Sequence, residues 1–269
     1  MMKKIFLLLI ISLFIPNIAF ADNIGITYDN GFYHIVLNGN KIKKKIEFVQ
    51  SDKLITNKEI HYKYKSKLTI NTGFFDLKNQ QTISYVVNKK KLIADPTKNY
   101  SLMNNKELAP YMGKILNRSE LRIIKCGLKY KYDIARHNEP VCKHCKIIAS
   151  AQGGPQILPV KNLDKNLQDE FFIVKKGNKV VRQSASVLFR TARTVVGIKN
   201  DELHILIFPT DCAKTMSEVA IICRNLGFEK AMAFDGGSST SLDYKSIHVV
   251  STQFKGDTGR KLKSFMIVR

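Results

Sequence analysis

The strongest constraint on this chain is the run Ala231-Met232-Ala233-Phe234-Asp235-Gly236-Gly237-Ser238-Ser239-Thr240-Ser241. A short apolar segment ends at a carboxylate, and two glycines and four hydroxyl residues follow. Ala231–Phe234 reads as a strand buried on both faces, which delivers Asp235 to the edge of a sheet. Gly236 and Gly237 tolerate positive φ and leave the backbone open to close approach. Their N–H groups, with those of Ser238 and Ser239, are expected to form a concave cradle for an anion. Just upstream, Thr215-Met216-Ser217-Glu218 has the form of a capping box, with Thr215 as N-cap and Glu218 at N3. Met216, Val219, Ala220, Ile222, Cys223 and Leu226 recur at helical spacing, and Gly227 supplies the stop. A helix of about three turns therefore feeds the strand that carries Asp235. Ligand sites gather at such strand ends.

The opening residues read as a secretory signal over 1–21. Lys3 and Lys4 precede the apolar run Ile5–Ile15, Pro16 breaks it, and Ala19-Phe20-Ala21 offers a cleavage site. The run is too short to span a bilayer comfortably. The expectation is an exported chain, periplasmic or secreted, with no transmembrane segment after cleavage. The net charge is +22, and removing the signal's two lysines leaves +20. A surface of that sign attracts anions. Outside the cell these are anionic polysaccharides, phosphodiester polymers and lipid head groups, so nucleic acid is not the expected partner. Runs such as Lys41–Lys45 and Lys89–Lys91 read as solvated hairpin faces.

Five cysteines in an exported chain predict disulfides with one thiol left over. Cys126 with Cys142 or Cys145, and Cys212 with Cys223, are the expected pairs. Cys142-Lys143-His144-Cys145 is also readable as half of a zinc site, with Cys126 and His137 as further ligands.

From Ile24 to Tyr64 short alternating runs read as β structure, with a hairpin signal at Asn38-Gly39-Asn40. Residues 22–68 are taken as an N-terminal β-rich segment. Leu68-Thr69-Ile70 then leads into Asn71-Thr72-Gly73-Phe74-Phe75-Asp76, a second strand end. The Asn71 carboxamide offers the donor and acceptor that sugar hydroxyls require. Phe74 and Phe75 are either core or a platform for a sugar ring. Residues 96–146 read as a polar, basic, cysteine-bearing insertion with a weak helical pattern around Asn105–Asn117, placed to cover a site. Gly153-Gly154-Pro155-Gln156 is a further glycine turn at a buried strand end. Arg193 opens the apolar strand Thr194–Ile198, which forms a hairpin with Leu203–Phe208 through Lys199–Glu202. Such an arginine needs an acidic partner or an anionic ligand, so it is either the counter-ion of Asp235 or a clamp for a phosphate. His34 and His61 read as exposed strand residues with no role, and His204, which alternates with the apolar positions of its strand, is not expected to be catalytic. The fold expected is mixed α+β: a strand-dominated curved sheet with few helices.

Five motifs in this order resemble the phosphodiester glycosidase family: Asn71-Thr72-Gly73-Phe74-Phe75, Gly153–Leu158, Arg193–Gly197, the Thr215–Gly227 helix, and Phe234–Ser239. Arg260 ahead of Ser264–Val268 closes the set. The animal member of this family removes N-acetylglucosamine from phosphodiesters on lysosomal enzymes. The likeness covers roughly 69–269 and departs from the family at Thr72, where glycine is usual, and in the Cys126–Cys145 region. It implies a hydrolase that splits a sugar-1-phosphodiester at the anomeric carbon, with a glycan or cell-envelope polysaccharide as substrate. Asp235 would be nucleophile or general base and Arg193 the phosphate ligand, helped by Gly236, Gly237 and Ser238. Asn71 would hold sugar hydroxyls, Ser239 and Thr240 would orient Asp235 or the sugar, and Gly73, Phe74, Gly154 and Gln156 would line the substrate site. No cofactor is expected. One alternative is metal-assisted phosphodiester cleavage, with a divalent cation on Asp76, Asp235 and Asn71. The other is a non-catalytic binder of anionic surface glycans.

Overall fold

The computed structural model describes residues 23–159, 162–184, 187–251 and 258–269. The expected signal segment lies outside the described residues. Among those described, no helix is long and apolar enough to cross a membrane.

The chain is α+β and strand-dominated, and its strands divide mainly among three antiparallel sheets. The first runs, in spatial order, Ile24–Asp29, Phe32–Leu37, Glu202–Phe208, Arg193–Lys199, Lys230–Ala233 and Gln156–Leu158. The second orders Ile247–Val250, Ser241–Tyr244, Leu68–Asn71, Leu262–Val268 and Ile46–Ile55. The third orders Lys91–Ala94, Val86–Asn88, Cys145–Gln152, Ser119–Cys126 and Lys129–Arg136. A shared core joins them through residues such as Ile35, Phe48, Ile70, Leu121, Val196 and Phe234. The other face of the first sheet is covered by the Met216–Asn225 helix, whose Val219, Ala220 and Cys223 pack on Val195, Leu206 and Ala233. Alternate residues of the Arg193–Lys199 and Lys230–Ala233 strands thus enter different cores, which is why both read as continuous apolar runs.

Local chemistry explains the element ends. The Thr215 hydroxyl accepts from the Glu218 N–H, and the Glu218 carboxylate accepts from the Thr215 N–H at 2.8 Å. Gly227, at φ +76°, turns the chain out of the helix. Asn200 and Asp201 both take positive φ in the two-residue turn between Lys199 and Glu202, as a primed hairpin turn requires.

Several expectations are corrected. The hairpin near the start turns at Asn30-Gly31, both at positive φ, whereas Asn38-Gly39 leads into the short Asn40–Lys43 helix. The β-rich segment also contains the helix Asn57–Tyr64, opened by a Thr56/Glu59 capping box. Its long strand Ile46–Ile55 pairs with Leu262–Val268, so the segment is woven into the second sheet. Lys43 is buried, pairs with Asp201 and donates to the Tyr130 carbonyl at 3.3 Å. Within 96–146 only the first part is a lobe, built of the short helices Tyr100–Met103 and Met112–Leu116 and intervening turns. Ser119–Cys126 pairs on both sides and belongs to the interior of the third sheet. Cys212 and Cys223 do not pair: the Cys212 thiol donates to the Asn30 carbonyl at 3.3 Å, and Cys223 is sealed in the helix–sheet core. Cys126, Cys142 and Cys145 converge, with Cys145 in contact with both others. His137 is not with them; it bonds the Glu120 carboxylate at 2.9 Å and stacks on Tyr85.

Candidate active site

Asp235 leaves the first sheet at the end of the Lys230–Ala233 strand, and neighbouring backbone fixes its position. Its N–H donates to the Thr72 carbonyl at 2.9 Å, and the preceding Phe234 N–H donates to the Thr194 carbonyl at 2.9 Å. The Asn71 carboxamide donates to the Asp235 carbonyl at 2.6 Å. Its oxygen accepts from the Thr194 hydroxyl at 2.7 Å and the Ser241 N–H at 3.0 Å. One buried side chain thereby joins the Leu68–Asn71 strand, the Arg193–Lys199 strand and the Asp235 loop.

The Asp235 carboxyl faces a cavity of about 380 Å³. Protein atoms crowd it on its other sides, and this burial raises its pKa to about 6, against opposing pulls from the Ser239 hydroxyl, the Arg260 guanidinium and the Gly236 N–H. Asp235 is the one carboxylate among the described residues lining the cavity, and four arginines line it too: Arg118, Arg182, Arg193 and Arg260. Arg193 is buried, which lowers its pKa to about 10 and leaves it a cation at neutral pH. It donates to the carbonyls of Lys214 at 3.0 Å, Phe189 at 2.6 Å and Val187 at 3.2 Å. Arg260 donates to the Ser238 hydroxyl at 2.6 Å and lies over the Phe75 ring.

Of the residues singled out from sequence, Asp235, Arg193, Phe74, Gly154, Gly236, Gly237 and Ser238 line this cavity. Asn71, Gly73, Gln156, Ser239 and Thr240 do not. Gly73 is a packing glycine, since a Cβ there would stand 2.7 Å from both the Gln152 carbonyl and the Ser84 side chain. The Gln156 N–H donates to Glu170 at 2.6 Å, and its side chain turns to the Leu158 carbonyl. Thr240 keeps a buried hydroxyl without a hydrogen-bond partner. The expected anion cradle is largely spent. The Gly237 N–H donates to the Ala192 carbonyl at 2.8 Å, the Ser239 N–H to Gly236, and the Gly236 N–H serves the Asp235 carboxyl. Positive charge in the cavity therefore comes from side chains. Asp76 does not line the cavity and caps a turn through the Lys78 N–H at 2.8 Å. Among the described residues, the one group of side chains spaced to hold a metal ion is the cysteine trio.

Arg260 closes the set of family motifs, but its place beside Asp235 was hidden, because only the fold brings the two together. Arg118 and Glu170 were equally hidden. Glu170 is wholly buried, its pKa raised by burial, and it holds Ser119, Gln156 and Arg136. Arg118 donates to the Glu170 carbonyl at 3.0 Å and stacks 4.2 Å from the Phe172 ring.

A half-buried acid and a set of guanidinium groups in one cavity, carried by a strand-dominated α+β fold, define a hydrolase suited to phosphorylated substrates. The model describing the phosphodiester glycosidase family matches residues 64–269, and the chain belongs to that family. The catalytic domain of zebrafish N-acetylglucosamine-1-phosphodiester alpha-N-acetylglucosaminidase, auto-inhibited by its pro-peptide, shares the fold with a TM-score of 0.63 at 12% identity, over 91% of this chain and 81% of that one. A hypothetical protein from Synechocystis aligns with a TM-score of 0.54 at 15% identity, over 91% of this chain and 61% of that one. A protein from Burkholderia pseudomallei aligns with a TM-score of 0.53 at 10% identity, over 88% and 73%. No curated protein matches by sequence.

Proposed function

We propose that this hydrolase of phosphodiester sugar linkages is exported and cleaves the bond between the anomeric carbon and the phosphate oxygen of a sugar-1-phosphodiester on a glycan or cell-envelope polymer. The observation that carries the reading is the meeting of Asp235 with Arg193 and Arg260 in one cavity. The leaving group is a phosphate monoester, which departs without the acid assistance that ordinary glycosidases draw from a second carboxylate. A single acid then suffices, provided cations receive the charge that develops on the departing phosphate. Arg193 and Arg260 fill that role. Asp235 either attacks the anomeric carbon as the phosphate monoester departs, water then hydrolysing the glycosyl ester, or takes a proton from the water that attacks that carbon as the phosphate departs. Asn71 acts on Asp235 through its backbone, as a positioning residue. Ser238, bonded to Arg260, orients that guanidinium.

The test is hydrolysis of a panel of sugar-1-phosphodiesters in water enriched in ¹⁸O. Label recovered in the reducing sugar supports cleavage at carbon. Label recovered in the phosphate shows attack at phosphorus and overturns the reading in favour of a phosphodiesterase. Asp235→Asn should fold normally and lose turnover; activity within a few fold of the parent would remove Asp235 from its role.

A further inference from the structure

The cavity continues beyond the charged end, and its chemistry changes. Leu77 and Ile83, from the loop after Asn71, face Leu102, Leu108 and Ile115 of the lobe that follows residue 96, with Phe171 between them. Leu102, Ile115 and Phe171 form a buried apolar cluster against which Ile83 and Leu108 pack. Leu77 is 61% exposed at the rim, so the apolar wall runs from the buried end to solvent.

What this wall lacks is equally informative. A sugar subsite needs donors and acceptors matched to hydroxyl groups. Among the described residues, no Asn, Gln, Glu or His lines the cavity. Arg118 is buried and spent on the Glu170 carbonyl and the Phe172 ring, 4.2 Å away, while the exposed Arg182 lies 4.0 Å over the Phe171 ring and donates to the Phe171 carbonyl and the Ser184 hydroxyl. Carbohydrate on this side would lose its hydration and find few partners, at a cost of about 1–3 kcal/mol for each unsatisfied group. Hydrocarbon would gain by burial.

Resting on the reading above, we infer that the phosphate of the substrate carries an apolar aglycone: a sugar joined through phosphate to a hydrocarbon chain. The charged end holds the phosphate next to Asp235, and the chain lies along Leu77, Ile83 and Leu108. An amphipathic anion of this kind matches a cavity that sets Arg193 and Arg260 with Asp235 and also carries a run of aliphatic side chains.

The experiment measures binding without turnover. The full chain is titrated calorimetrically with inorganic phosphate, methyl phosphate and octyl phosphate, the last below its micelle concentration. Octyl phosphate should bind about tenfold or more tightly than methyl phosphate, a modest share of what burying seven methylene groups can yield. Leu77→Ser and Leu108→Asn should remove that gain while leaving methyl phosphate unchanged. Leu77 is exposed enough for the first variant to fold. Leu128→Ser, at a site 89% exposed and outside the cavity, should leave the gain intact. Equal affinity for the two esters, or a gain that survives both cavity variants, overturns the inference. Matched methyl and octyl sugar-1-phosphodiesters separate the two claims. Cleavage at carbon without octyl preference leaves the function standing and removes the apolar aglycone. Octyl preference without cleavage does the reverse.

Discussion

The Asn71 carboxamide donates to the carbonyl of Asp235 at 2.6 Å while its own oxygen accepts from Thr194 and Ser241. This side chain, only 1% exposed, is thus committed to holding backbone. Removing it orphans a buried hydroxyl and a buried N–H. Asn71→Ala should destabilise the protein by about 1–3 kcal/mol. It should lower kcat more than it raises KM, because the acid is displaced while the cations stay. Asn71→Asp keeps the acceptor and loses the donor, placing a negative oxygen against the Asp235 carbonyl; it should be the worse enzyme of the two. Thermal unfolding with steady-state kinetics checks both. A rise in KM alone would instead point to a direct sugar contact.

Burial lifts the Asp235 pKa from 3.8 to about 6. A base or nucleophile must be ionised, so kcat/KM should climb with pH and level off above about 6. Arg260 holds this pKa down, and Arg260→Gln should move the midpoint to higher pH as well as reduce the plateau. Linkage fixes the sign for stability. The folded pKa lies above the unfolded one, so folding takes up a proton. The stability present below about pH 4 is lost as pH rises through about 6, by up to about 3 kcal/mol. Asp235→Asn, which removes the buried charge, should raise Tm at pH 7 relative to the parent and much less at pH 4. A midpoint that ignores Arg260→Gln would show that another group controls the profile.

Much of the site's frame was legible because local patterns there agree with the tertiary fold. The Thr215 capping box, the Gly227 stop and the doubly buried strand before Asp235 each follow from spacing alone. Asp235 and Arg193 stood out because a charge at the end of an apolar strand demands an explanation. What stayed hidden was pairwise geometry. The Gly236 and Gly237 N–H groups looked available until Ala192 and the Asp235 carboxyl claimed them. Asn71 has the chemistry of a sugar ligand, and only its partners reveal a structural role. The Asn30-Gly31 turn and the Thr56/Glu59 box, by contrast, were plain local signals, masked by the alternating pattern around them.

Three sulfurs meet where two inner strands of the third sheet end, and each can take part in only one disulfide. Cys126 and Cys145 are cross-strand neighbours with Cα atoms 4.3 Å apart, Cys142 and Cys145 lie at 5.2 Å, and the Cys126 and Cys142 sulfurs are 3.9 Å apart. Of five cysteines, the oxidised chain should therefore show one disulfide and three thiols when unfolded without reductant. Cys126→Ser and Cys142→Ser should each retain a disulfide, because Cys145 reaches both partners. Thiol titration with peptide mapping decides this; a bond to Cys212 or Cys223 would contradict it.

Gly154 links the buried acid Glu170 to the cavity wall. At φ +101° it occupies backbone space that side chains avoid, and a Cβ there would stand 2.3 Å from a Glu170 oxygen. That oxygen already accepts from the Ser119 N–H at 2.8 Å, while its neighbour serves Gln156. Glu170 has no room to retreat, since it is wholly buried. Gly154→Ala must therefore either push Glu170 off its donors or move the Gly154-Pro155 loop, which pairs with Ala233 two residues before Asp235. Backbone strain and broken buried bonds together should cost about 2–4 kcal/mol. Activity should fall beyond what the loss of folded protein explains, because the strand carrying Asp235 shifts with the loop. Denaturant unfolding compared with kcat per folded molecule checks both parts. A variant that keeps parental stability would show that Glu170 can be displaced without loss, which the packing around it forbids.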